Sequence, residues 1–314
     1  MSSWNDILNQ INDNKKVHDN LRRDCLNELY EYTDRNVILY YSGWLQFPDI
    51  SYANPAIFMI NDSDKEGFMT TIHKLDRTKG LDLILHTPGG SMAATESIVH
   101  YLRQMFGTNI RAIVPDLAMS GGTMIACACK SILMGKQSSL GPIDPQIQGI
   151  PAHGIIEEFN SAKDECTKNN ICIPLWQPII AKYSPTLIGE AQKAIDWSRE
   201  IVKEWLLSGM FEEQDDVEDK VNNIVEDLGN HALTKSHSRH LSAKFCESIG
   251  LNIEMMEDDQ DLQDLILTLH HICTITLEQT QSVKIIENHL GIAKILQMKT
   301  VITRVPMNPQ IVDK

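Results

Sequence analysis

Two short runs of this chain join a glycine doublet to residues that can do acyl chemistry. One is His86-Thr-Pro-Gly-Gly-Ser and the other is Ala118-Met-Ser-Gly-Gly-Thr, about 30 residues further on. Glycine accepts unusual dihedral angles and lets a ligand oxygen come close to backbone N–H groups, so each doublet is suited to hold a negatively charged oxygen. In the second run Ser120 stands at the corner where a strand turns into a helix. The amide that follows it sits at the positive end of a helix dipole, where an oxyanion is stabilised as it develops. A serine so placed is suited to attack a carbonyl and carry an acyl group. The run is not the G-x-S-x-G elbow, because Ala118 stands where the first glycine would be. Neither run fits G-x-x-x-x-G-K-[ST] or G-x-G-x-x-G, so a phosphate loop is not indicated. A lone Ser-Gly-Gly corner is usually an ordinary strand-to-helix turn, and the pairing of two such corners is what points to chemistry.

The flanking pattern supplies elements that would bring the corners together. Leu81-Asp-Leu-Ile-Leu-His reads as a buried strand stopped by Thr87-Pro-Gly-Gly, and residues 91–106 read as a helix ending at Gly107. Ile110-Arg-Ala-Ile-Val-Pro is the next strand, 121–130 the next helix, and Ser131-Ile-Leu-Met-Gly a further short strand. Strand and helix alternating at this spacing predict right-handed β-α-β units, a mainly parallel sheet and an α/β fold. Such sheets carry their active sites at the C-terminal ends of the strands, where both doublets fall. Asn36-Val-Ile-Leu-Tyr-Tyr-Ser and Ala56-Ile-Phe-Met-Ile also read as strands. Residues 2–33 carry apolar positions at helical spacing, as does the tail after 254 through Leu262, Leu265, Ile266, Leu269 and Ile272. The chain is therefore expected to divide into a helical N-terminal extension (1–45), a catalytic domain (46–252) and a helical C-terminal tail (253–314), which is reasonable for 314 residues.

Composition narrows the function. A formal charge of −14, with no segregated basic patch, argues against nucleic acid and anionic membrane partners. The seven cysteines are odd in number and irregularly spaced, which implies a reducing compartment and buried thiols. No metal site is expected, and no cofactor. The N-terminus lacks a basic start followed by an apolar block, and no apolar stretch approaches the ~18–20 residues that cross a bilayer, so a cytoplasmic protein without an integral membrane segment is expected.

With these residues in view, a family resemblance becomes explicit. Leu83-Ile-Leu-His-Thr-Pro-Gly-Gly-Ser resembles the oxyanion strand end of the Clp protease and signal peptide peptidase families, and Val114-Pro-Asp-Leu-Ala-Met-Ser-Gly-Gly-Thr-Met-Ile-Ala resembles the nucleophile motif of the latter. Ser138-Ser-Leu-Gly-Pro-Ile-Asp-Pro-Gln continues in the manner of the related serine dehydrogenase proteinase family. The similarity covers roughly residues 56–252. It implies a Clp-protease/crotonase-like fold and a serine endopeptidase acting on polypeptides, with Ser120 as nucleophile and the turn at Gly89, Gly90 and Gly121 as the oxyanion site.

For the general base the resemblance implies a lysine ahead of a long helix, in a Ser/Lys dyad. Lys182, in Ala181-Lys-Tyr-Ser-Pro and 62 residues beyond Ser120, fits that description, and Lys163 is its competitor. A histidine base of the Clp kind would be expected near Asp144, where the chain reads Ile-Asp-Pro, so Asp144 is placed as an orienting or pocket residue. His237 is a further candidate, against its plainer reading as a surface-turn histidine, and His86 is read as a satisfied strand-end residue. Relatives of this fold assemble into rings or stacks, so a homo-oligomer is expected. Two alternatives stay open: a coenzyme A thioester enzyme of the crotonase type, and a catalytically silent scaffold.

Overall fold

In this computed structural model the chain is described at Trp4 and at residues 6–9, 18–147, 149–229 and 238–298. A seven-stranded sheet organises it, in the order β10-β5-β3-β2-β1-β11-β12. The strands that bear on the site are β1 (Asn36–Ser42), β2 (Leu81–His86), β3 (Ile110–Val114), β5 (Ser131–Met134) and β10 (Ile253–Met255), which are all parallel. The hairpin β11 (Ser282–Asn288) and β12 (Ala293–Gln297) adds two antiparallel strands at the β1 edge. The architecture is thus α/β with a mainly parallel sheet, as the alternating pattern predicts.

Every residue of β1 and of β2 is buried, which is what a parallel strand covered on both faces requires. On one face Ile38, Tyr40, Leu83 and Leu85 pack with residues of the helices Asp62–Ile72, Met92–Phe106 and Gly121–Cys127. On the other, Val37, Leu39, Tyr41 and Ile84 pack with the helices His18–Thr33 and Gln260–Gln279. All seven cysteines are free thiols and five of them are buried, Cys166 and Cys172 being the half-buried pair.

Two expected boundaries differ from what is observed. The segment 1–45 holds β1, a central strand, and the tail after 253 contributes β10, β11 and β12, so the single sheet runs across both divisions. The reason lies in β11, where Lys284 and Glu287 interrupt an apolar run that would otherwise read as a strand. Both are buried because each meets its counter-charge there: Lys284 meets Asp64, and Glu287 meets Arg22 and Arg23. Residues 56–60 also depart from expectation. Pro55–Ile57 form a single 3-10 turn, and only Ile60 enters a bridge, with Gly90.

Candidate active site

The two glycine corners meet. Beyond β2 the chain pairs once more with its neighbour, since the Thr87 N–H donates to the Leu117 carbonyl (3.0 Å) and the Met119 N–H to the Thr87 carbonyl (3.0 Å). This zips the end of β2 to β4 (Leu117–Ala118) just before Ser120. Gly89 then takes φ +93°, a left-handed conformation that a side chain would strain, and a Cβ built there would lie 2.6 Å from the Ser120 Cβ. A Cβ built on Gly121 would lie 3.4 Å from the Gly90 nitrogen. Among the described residues no carbonyl accepts the Gly90 or the Gly121 N–H, so the two donors lie side by side without an internal acceptor.

Ser120 itself is strained. Its backbone sits at φ +50°, ψ −112°, a region that a non-glycine residue occupies only when its surroundings impose it. It holds the N-cap position of the helix Gly121–Cys127, where serine normally spends its hydroxyl on a backbone amide, yet its side chain makes no such bond. The hydroxyl is left half-buried on the wall of a cavity of about 550 Å³. Behind it Thr123 pins the corner in place: its hydroxyl accepts the Gly141 N–H (2.9 Å) and lies 2.8 Å from the Ala118 carbonyl.

Around Ser120, Gly90 and Ser91, the cavity wall is formed by Met59, Met92, Met124 and Ile143, with Pro145 and Gln146 beyond. None of the described lining residues is ionisable. Asp144 is buried at 1 % exposure in the same stretch as Ile143, whose N–H donates to the Leu228 carbonyl (3.0 Å).

The described basic candidates, Lys182 and Lys163, are not gathered at this cavity. Lys182 is exposed and lines a second hollow of about 490 Å³ with Ile147, Ile155 and Tyr183. Lys163 is exposed on the helix Ala152–Lys168. His237 lies outside the described residues. The contribution that sequence reading missed is Ile60. Its N–H donates to the Gly89 carbonyl (2.8 Å) and its carbonyl accepts the Ser91 N–H (2.9 Å), so it fixes the turn from the far side. The only local signal for it was the apolar run 56–60.

His86 ends β2 but turns away from the cavity. It is 2 % exposed and lies against Trp44, Tyr41 and His270, with centroid separations of 4.4, 5.1 and 5.6 Å. It is not satisfied as expected: its Nδ1 has no hydrogen-bond partner among the described residues, and the nearest carboxylate, Asp116, is 3.9 Å away. Burial holds its pKa well below the ordinary imidazole value, the neighbouring His270 adding to the effect. Burial likewise pulls His270 down to about 4, and His271 contributes. Both rings are therefore neutral in the fold at pH values where the unfolded chain already binds protons.

Stability is full above the unfolded value of 6.5 and is lost as pH falls from there toward about 4, by roughly 1.4 kcal/mol per pH unit for each histidine. Urea unfolding between pH 7 and 4 is expected to show this decline. His270→Gln keeps a hydrogen-bonding partner for the Tyr41 hydroxyl, 3.1 Å away in the wild type, and is expected to make the decline shallower. Equal slopes in the two proteins would refute it.

Comparison with known proteins agrees with the mainly parallel α/β fold. A family model described as ClpP-like SDH-type serine proteinase matches residues 9–286, a longer span than the motifs alone suggest. Two proteins of Methanocaldococcus jannaschii are similar over a shorter stretch: uncharacterized protein MJ0137, 40% identical over 103 residues, and uncharacterized protein MJ1495, 38% identical over 105. Each match covers 33% of this chain and 36% of the relative, so the chain spans about a third of the length of these relatives. With a mainly parallel sheet, two glycine corners joined at a strained serine, and a family match over most of its length, the chain belongs to the ClpP-like SDH-type serine proteinases.

Proposed function

We propose that this chain hydrolyses peptide bonds through an acyl-enzyme on Ser120. The Ser120 Oγ attacks the scissile carbonyl carbon, and the carbonyl oxygen becomes an oxyanion received by the Gly90 and Gly121 N–H groups. The Oγ proton ends on the leaving amine as the C–N bond breaks, and water then adds to the acyl carbon, one of its protons returning to Oγ as the carboxylic acid leaves. The observation that carries this reading is the strained, uncapped Ser120 beside two backbone donors that have no acceptor among the described residues. Strain of this kind persists only where the surrounding structure enforces it, and here it turns a hydroxyl into a cavity instead of onto its helix.

The apolar wall of Met59, Met92, Met124 and Ile143 favours substrates with an apolar side chain next to the cleaved bond. A dyad with Lys182 has no geometric support in this conformation, since that lysine lines a different hollow. The proton acceptor is to be identified by replacing Lys163, Lys182 and His237 one at a time. Digestion of a mixed peptide library, read by mass spectrometry, tests the reading. Cleavage next to apolar residues is expected from the wild type and none from Ser120→Ala, and equal cleavage by both would remove Ser120 from the chemistry.

A further inference from the structure

A buried charge pair lies directly behind the oxyanion turn, on the far side of Ile60. Lys284, on β11, is 2 % exposed, and its ammonium donates to Asp64 Oδ1 (3.0 Å), to Asp64 Oδ2 (2.9 Å) and to the Met59 carbonyl (2.8 Å). Asp64 is 3 % exposed and also accepts from the Tyr40 hydroxyl (2.9 Å) and the Asn61 N–H (3.0 Å). The pair therefore grips the chain at Met59 and at Asn61, the residues on either side of Ile60. Ile60 in turn exchanges two backbone hydrogen bonds with Gly89 and Ser91. A Cβ on Gly90 would fall 2.3 Å from the Ile60 nitrogen, so the turn has no slack against that backbone. The Ile60 Cδ1 also lies 3.3 Å from where a Gly121 Cβ would be, so the same residue touches both oxyanion glycines.

A stability role alone does not account for this arrangement. A buried ion pair loses its hydration, and an apolar pair of similar volume is often as stable or more so. Burial pulls the Lys284 pKa below its usual value, with Asp64 opposing the shift. What an apolar pair would not supply is a donor for the Met59 carbonyl and an acceptor for the Asn61 N–H.

We infer that Lys284 and Asp64 are positioning residues, a clamp that sets the Gly90 amide through Met59, Ile60 and Asn61. The inference rests on the serine-peptidase reading for its kinetic consequence, while its structural consequence is independent of that reading.

The test is the double variant Lys284→Met, Asp64→Asn, which removes both charges of the pair and keeps an acceptor for Asn61 and Tyr40. Hydrogen exchange followed by mass spectrometry is expected to rise at least several-fold in segments 59–61 and 87–92, and to stay unchanged in β3 and in the helix Gln260–Gln279. On a cleaved peptide substrate kcat is expected to fall roughly 10- to 100-fold, as sub-ångström misplacement of a catalytic group does, with KM within about twofold of wild type. Tyr40→Phe removes one bond to Asp64, keeps the ion pair, and is expected to raise exchange in the same two segments by less. It also serves as the test should the double variant not fold.

Unchanged exchange at 87–92, or a rise spread evenly over the sheet, would overturn the clamp. If wild-type protein shows no Ser120-dependent cleavage, the peptidase reading fails, and the exchange measurement alone decides whether the clamp holds.

Discussion

Ser120→Gly is expected to be at once inactive and more stable than the wild type. Serine at φ +50°, ψ −112° carries backbone strain of about 1–3 kcal/mol, which glycine does not feel. Part of that gain is returned through the greater freedom of glycine in the unfolded chain, about 0.5–1 kcal/mol, leaving net stabilisation of about 1 kcal/mol and a Tm higher by about 2 °C. No side-chain hydrogen bond to the helix is lost, because Ser120 makes none. Peptide cleavage, by contrast, is expected to fall by roughly 10⁴-fold or more, the usual consequence of removing a nucleophile. Ser120→Ala separates the two effects: it removes the hydroxyl but keeps a Cβ, so it is expected to be inactive without being stabilised. Calorimetry and peptide turnover on the three proteins check this. A glycine variant that is less stable than wild type would show that the conformation carries no strain, and one that still turns over would place the chemistry elsewhere.

The second large effect is expected at Gly90. A methyl group there would lie 2.3 Å from the Ile60 nitrogen and 2.4 Å from its carbonyl oxygen, closer than real side chains approach backbone. Backbone cannot swing aside as a side-chain tip does, so Gly90→Ala must push the turn away from Ile60. The Gly90 N–H leaves its place beside Gly121, and loss of one oxyanion donor lowers kcat by about 10²–10³-fold. Overpacking of this kind also destabilises by about 1–3 kcal/mol, so activity and Tm are expected to fall together. Gly189→Ala is the control: nothing lies within 4 Å of its Cβ, it stands in the helix Leu187–Trp205, and it is expected to keep full activity while gaining up to about 1 kcal/mol of helix stability. Steady-state kinetics on both variants decide the matter, and a Gly90→Ala enzyme with wild-type kcat would show that this amide does not face the reacting oxygen.

Much of the frame was legible in the sequence because the physics that builds it is local. Leu81–His86 and Ile110–Val114 are mainly apolar runs, each broken once, by Asp82 and by Arg111, which pair with each other (2.6 Å), and glycine doublets beyond them mark where the backbone must turn sharply. The serine corner was legible for the same reason. The parts that escaped depend on partners far along the chain. β11 read as part of a helical tail because Lys284 and Glu287 are charged, and nothing nearby in sequence announces that Asp64 and Arg22 will neutralise them. Ile60 read as one residue of a strand, whereas its single bridge to Gly90 is fixed by that distant clamp. The base is harder still. Choosing a lysine by motif and spacing says nothing about which cavity its side chain will line, and Lys182 proves to line a hollow formed with Ile147, Ile155 and Tyr183.

In the proposed reaction the Ser120 hydroxyl and the Gly90 and Gly121 amides converge on one reacting carbonyl. This convergence is tested most directly by a crystal structure of the protein with a peptidyl boronate carrying an apolar side chain beside the boron. A bond from the Ser120 Oγ to boron is expected, with one boronate oxygen within about 3 Å of both glycine nitrogens and the apolar side chain against Met59, Met92 and Met124. A boronate bound to another residue, or bound to Ser120 with its oxygens turned away from both amides, would contradict it.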